Sequence, residues 1–240
     1  MLALLTATGM ASLPASSEAN AVTVGSTLTA PGFSLVPFGP PATVTNYSLP
    51  APGTATSPVD GTAVSWRFIG AGGPLTPRVL RSVNGTTLTG AGSGTPQNAT
   101  STAGISGPFP VSLPIKRGEF FGADGATGAS LSTAPAAGAV SLYFDPGLAN
   151  GGPGQSPTGT NAEEDALSAT VRYCLVPKLK GLTGKGARRA LQAADCTLGK
   201  ITKAGKRRHR VKRIRTQSVK AGKSISDTQP IDLIISRKKK

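Results

Sequence analysis

Between residues 22 and 173, apolar and polar positions alternate with a period of two over short runs, and Gly, Pro, Ser, Thr and Asn separate the runs. Val64, Trp66 and Phe68 share one side of residues 62–68, with Ser65 and Arg67 on the other. Val140, Leu142 and Phe144 repeat the pattern, and so do Leu167, Ala169, Val171 and Tyr173. One buried and one wet face is the behaviour of antiparallel sheets, not of helix-covered parallel ones. Further strands are predicted near residues 22–29, 33–38, 42–48, 77–83, 86–90, 109–115 and 118–122. Roughly eight to ten strands without any helical period predict a mainly β fold, an antiparallel β-sandwich of jelly-roll-like form.

After Tyr173 the period changes. Ala187, Ala190, Leu191 and Ala194 recur at the spacing of one helical face, which predicts a short helix over about residues 184–194 with Thr183 as N-cap. Val176 precedes a proline and reads as extended. The helix is poor by itself: Gly184 and Gly186 each cost about 1 kcal/mol relative to Ala. Lys185 near its start and Asp195 near its end oppose the macrodipole. Other contacts must hold it.

The order of extended lead-in, Gly181-Leu182-Thr183, Ala/Arg helix, Cys196-x-Leu-Gly-Lys200 and strand resembles a PASTA domain, the small βαβββ module of bacterial wall-synthesis enzymes and wall-sensing kinases. The resemblance covers residues 174–240. Gln217-Ser218-Val219-Lys220-Ala221-Gly222 is similar to the family's Gln-Ser-Pro-x-Pro-Gly turn with both prolines replaced, and residues 231–236 (IDLIIS) are similar to its closing strand. The resemblance implies association with peptidoglycan, through muropeptide or β-lactam binding, although no kinase or transpeptidase domain precedes the module. In the first region, GTAVSWRFIG and its Gly-rich surroundings resemble sandwich domains of secreted bacterial proteins of unassigned function.

The chain's two cysteines, Cys174 and Cys196, bracket the predicted helix. An even count in an exported chain favours a disulfide over two buried thiols. Closing that loop would contribute about 3 kcal/mol. A Cys-only zinc site lacks its four ligands.

Residues 1–21 hold an apolar run followed by small and polar residues ending Ala19-Asn20-Ala21, an A-x-A type cleavage site, and read as a signal peptide with the mature chain starting at Val22. The competing reading is a ragged cytosolic N-terminus. The run is too short to span a bilayer, and no other stretch approaches about 20 apolar residues. The expected location is therefore extracellular, released or wall-associated. The expected organisation is a signal peptide (1–21), a β-sandwich domain (22–173) and a PASTA-like domain (174–240).

Charge divides the chain at the same point. Residues 1–173 hold 6 Lys/Arg against 8 Asp/Glu, net −2, and residues 174–240 hold 20 against 3, net +17. All eleven aromatic residues precede Cys174. Residues 203–215 (KAGKRRHRVKRIR) carry eight Lys/Arg. Arg207, Arg208, Arg210, Lys212, Arg213 and Arg215 are the expected anion-binding residues of a cationic hairpin, with Val211 and Ile214 turned towards the helix. Such density binds polyanions nonspecifically and salt-sensitively. The region has no aromatic residue on which a base could stack, which argues against a dedicated nucleic-acid role.

Catalysis is not expected. The sole histidine, His209, lies between Arg208 and Arg210, and no Gly-x-Ser-x-Gly elbow, P-loop or HExxH occurs. No motif points to a cofactor or metal. Glu163, Glu164 and Asp165 form the one carboxylate cluster. It reads as the solvated start of a strand rather than a calcium site, because Asp-x-Asp-x-Asp-Gly spacing is missing. Asp124 and Asp145 read as turn residues. The expected function is a secreted, non-enzymatic protein associating with the bacterial cell wall, through peptidoglycan or an anionic wall polymer. The alternatives are a nonspecific polyanion or nucleic-acid binder, and a carbohydrate-active enzyme whose carboxylate pair is set by space rather than by spacing.

Overall fold

A computed structural model describes residues 20–101, 104–209 and 212–238, with side chains of 20–101, 104–204 and 212–236. The expected signal sequence, apart from Asn20 and Ala21, lies outside the described residues. Asn20 and Ala21 already belong to the fold: the Asn20 carbonyl accepts from the Tyr173 amide at 3.0 Å, and Ala21 is in register with Arg172.

Thirteen strands precede Cys174 among the described residues. They begin with β1 (Ala21–Gly25), β2 (Ser34–Pro37), β3 (Ala42–Ser48), β4 (Gly61–Gly72) and β5 (Leu75–Asn84). Next come β6 (Thr87–Ser93), β7 (Ile105–Ile115), β8 (Phe120–Gly125), β9 (Ala129–Pro135) and β10 (Val140–Phe144). β11 (Gly159–Asn161), β12 (Glu163–Asp165) and β13 (Leu167–Arg172) complete the set. One sheet runs β1-β13-β4-β9-β12, with β7 also on β4 and β2 on β9; the other runs β11-β10-β3-β8-β5-β6. Every pairing in both is antiparallel.

The main core takes side chains from both sheets. Val24, Trp66, Phe68, Leu167, Ala169 and Val171 come from one, and Val44, Leu75, Val79, Phe121 and Ala123 from the other. Trp66 stacks on Phe68 at 4.9 Å between ring centroids, and Phe109 lies 5.7 Å from Phe68. These offset contacts are worth about 0.5–1.5 kcal/mol each beyond the area they bury.

The six-stranded sheet departs from the expected one wet face. Leu80, Leu88, Phe120, Leu142 and Phe144 alternate with the core residues, so they project to the opposite side and form a second buried cluster with Leu148. The Gly-rich stretch after β10 folds back over that side: the Leu88 amide donates to the Gln155 carbonyl (3.0 Å) and the Gly90 amide to the Ala149 carbonyl (3.2 Å). The buried Arg78 guanidinium pins it by donating to the Leu148 carbonyl (2.5 Å) and to Asn150 Oδ1 (3.0 Å). Gly90 has to be glycine, since a Cβ would stand 2.8 Å from the Ala149 carbonyl oxygen as well as against the pinned Arg78 guanidinium.

Asp124 is also corrected. It sits in β8, not in a turn, where its carboxylate pairs with Arg78 at 2.5 Å and accepts from the Thr43 hydroxyl at 2.5 Å. Burial pushes its pKa up, and Thr43 and Arg78 oppose the shift.

Beyond Tyr173 the chain forms β14 (Cys174–Leu175), α1 (Gly184–Ala193), β15 (Leu198–His209), β16 (Ile214–Gln217), β17 (Ser224–Ile225) and β18 (Ile231–Lys238). The expected helix is present. Thr183 Oγ1 accepts from the Gly186 amide at 3.1 Å, and Ala187 and Leu191 are buried. Asp195 ends it in the left-handed region at φ 50°, which Asp tolerates better than most residues. Cys174 and Cys196 form a disulfide with Cα atoms 4.9 Å apart. Both sulfurs lie in one core with Val176, Leu179, Leu191, Ile214, Ile231 and Leu233. Gln217 ties the loops together: its Oε1 accepts from the Leu179 amide (2.9 Å), and its Nε2 donates to the Pro177 (3.1 Å) and Val219 (2.8 Å) carbonyls. Gly222 turns the chain at φ 82°, with neither neighbouring proline needed.

The cationic hairpin is overturned. β15 and β16 do not pair with each other. The sheet order is β15-β18-β16, with β15 parallel and β16 antiparallel to β18. β18 carries Ile231, Leu233 and Ile235 and takes the centre, which separates two strands whose like charges would otherwise face each other.

Candidate functional site

The candidate site is built on the edges and loops of this second region. β18 holds the apolar centre, and the exposed basic residues fall on α1, on the outer strands β15 and β16, where they also blunt the sheet edges against further pairing, and on the connections. Lys178, Lys180, Lys185, Arg188, Arg189, Lys200, Lys203, Lys212, Arg213, Arg215, Lys220 and Lys223 are all exposed.

Of the six expected anion-binding residues, Arg207 and Arg208 lie on β15, and only their backbone is described; Arg208 is in register with Arg237 of β18. Arg210, like Val211, lies outside the described residues. Lys212 and Arg213 precede β16 and Arg215 lies on it, all exposed, while Ile214 between them is buried in the core as expected. Arg213 is not a free cation. Its guanidinium donates to the Gly181 carbonyl at 2.8 Å, and its amide donates to Ser236 Oγ at 3.0 Å, which fixes the start of β16.

None of the cations with described side chains in this region is in an ion pair. Both ion pairs among the described residues, Arg78–Asp124 and Arg81–Glu119, belong to the first region. The second region has only three carboxylates, Asp195, Asp227 and Asp232, too few for its cations. Asp232 Oδ1 accepts from the Lys200 amide at 2.6 Å. The helix and loop cations lie outside the 203–215 run, yet they extend the same field. The count of 20 Lys/Arg over residues 174–240 includes them, whereas the six expected site residues come from its densest stretch alone.

The acidic cluster is the second correction. Glu164 and Asp165 are buried rather than solvated, at 6% and 3% exposure. They form β12, which pairs with β9. Alternation sends Glu164 to one side, where its carboxylate accepts from the buried Ser26 hydroxyl. Glu163 and Asp165 go to the other side and border a cavity between the sheets. The three carboxylates therefore do not converge on one point. Burial pushes the Asp165 pKa up to about 7, with Glu163 and Glu164 adding to the shift.

The two regions touch through the Thr62 and Ser226 hydroxyls, 2.6 Å apart. No helix among the described residues is long and apolar enough to cross a membrane. Comparison of the chain with protein families, characterised proteins and solved structures gives no match.

Proposed function

We propose that this is a secreted, non-enzymatic binding protein in which a β-sandwich is carried by a PASTA-like module that holds anionic components of the bacterial cell wall. The observation that carries this reading is the uncompensated charge of residues 174–240: 20 Lys/Arg against 3 Asp/Glu, with no ion pair among the described residues there. Single exposed charges contribute little, but a clustered set raises a potential of several kT that a polyanion feels over its whole length.

The core shared by the two large sheets supports the sandwich assignment of residues 22–173. Support for the PASTA-like assignment of residues 174–240 comes from the order strand, capped helix, strands and from the Gln217 bonds to the preceding loop. Peptidoglycan and the anionic polymers attached to it are the polyanions that this module type would meet. The apolar run of residues 1–21 and its A-x-A ending support the secretion part of the reading.

Co-sedimentation of the protein with purified wall sacculi tests the reading. Binding is expected to fall when the anionic polymers are stripped. It should also fall on going from about 0.1 M to about 1 M salt, as the screening length shrinks from about 10 Å to about 3 Å. Changing Arg207, Arg208, Arg210, Lys212, Arg213 and Arg215 together to Ser should weaken it further. Sedimentation unaltered by all three treatments would overturn charge-mediated attachment.

A further inference from the structure

We infer that the cavity between β2, β9 and β12 of one sheet and β3, β10 and β11 of the other is a binding site for a small primary alkylammonium group. The inference is independent of the wall-binding reading, since it concerns the first region alone. The cavity measures about 70 Å³. A cavity of about 150 Å³ accepts benzene, so this one suits an unbranched chain of roughly three or four heavy atoms.

Its chemistry is set by Asp165, which borders it. Asp165 is held in place by Asn46, itself 1% exposed. The Asn46 amide group donates to the Asp165 carbonyl at 2.9 Å and accepts from the Asp165 amide at 2.8 Å. The strand therefore cannot turn its side chain elsewhere. Asp165 Oδ2 is buried with no hydrogen-bond partner among the described residues. Among the described residues no cation pairs with this buried carboxylate, and a charge left alone in a buried site is costly, so a cation entering the cavity that Asp165 borders offsets that cost.

Glu163, two residues away on the same face of β12, borders the same cavity and is half-buried. Two acids and no Lys, Arg or His line it, so an anionic ligand is repelled and a cation with several N–H donors is favoured. Phe38, Val44 and Leu131 supply apolar wall for a short alkyl chain. Val36, also on the border, is 47% exposed, so the cavity wall reaches the surface at the edge strand β2. The other ionisable groups facing Asp165 are Tyr143, across on β10, and Glu164, behind it on its own strand.

The test is a titration of the full chain with n-propylammonium chloride at constant ionic strength near pH 8, followed through backbone amide NMR shifts of Leu131, Glu163 and Asp165. Saturable shifts are expected with n-propylammonium and not with 1-propanol or propionate. Asp165→Asn, which keeps the shape and removes the charge, should weaken binding about tenfold or more, and Glu163→Gln less. On the unmodified chain, affinity should fall as pH drops below about 7, which keeps the test valid if Asp165→Asn does not fold. Nα-acetyl-lysine amide distinguishes sources: binding comparable to n-propylammonium assigns the site to side chains of a peptide, and exclusion assigns it to free amines. Equal response to 1-propanol, no saturation up to roughly 100 mM, or undiminished binding by Asp165→Asn would overturn the inference and leave a water-filled cavity.

Discussion

The two regions of this molecule solve the stability problem by different means. Residues up to Tyr173 contain every aromatic side chain, bury Trp66, Phe68 and Phe121 almost completely, and pair two of their cations internally. Residues from Cys174 have no aromatic side chain, one ten-residue helix and a disulfide inside the core. Apolar area stabilises the first, and the second adds a covalent constraint on the unfolded chain to a core without aromatic side chains. The contrast explains why the charge can concentrate where it does. A region held by a cross-link tolerates a net +17 that mutual repulsion would otherwise turn against it.

The sharpest way to break the contrast is Trp66→Ala. It removes the largest side chain of the main core and should cost about 3–5 kcal/mol. Tyrosine fluorescence follows the first region almost alone, because the second has no aromatic residue. Its melting point should drop while the helix signal from α1 persists. A simultaneous loss of both would mean that the regions unfold as one unit.

Next is Cys174→Ser with Cys196→Ser, expected to cost the second region about 3 kcal/mol. Circular dichroism should show loss of α1, with tyrosine fluorescence of the first region unchanged. A helix that survives at full stability would show that Gln217 and the apolar contacts suffice.

The smallest effect concerns Asp165. An acid whose pKa is raised in the folded state binds its proton more tightly there than in the unfolded chain. Stability should therefore be highest below its ordinary value of 3.8 and fall as pH rises towards about 7. Asp165→Asn should remove that fall and raise stability near pH 8. A pH–stability profile unchanged by the substitution would mean that Asp165 titrates normally.

Local pattern disclosed more of the second region than of the first. The helix, its Thr183 cap and its bracketing cysteines follow from spacing and residue type, and β3 matches its expected limits of 42–48. β9 (ASLSTAP) escaped notice because Leu131 is its only large apolar residue. β11 and β12 are three residues each, too short to display a period. The second buried face of the six-stranded sheet is made by a loop folding back, and alternation identifies the two faces of a strand without saying what will cover either. Burial of Glu164 and Asp165 was illegible for a related reason: carboxylates read as wet, and the groups that fix their strand, Ser26 and Asn46, lie 138 and 119 residues away. β15 and β16, though near in sequence, form no hairpin because β18 has the stronger apolar character and takes the centre of the sheet.

That central placement of β18 governs the order of events during synthesis. β15 and β16 leave the ribosome before the strand that joins them, and neither has a sheet partner until residues 231–238 emerge. A stop codon just before Ile231 would deprive both of the strand they pair with.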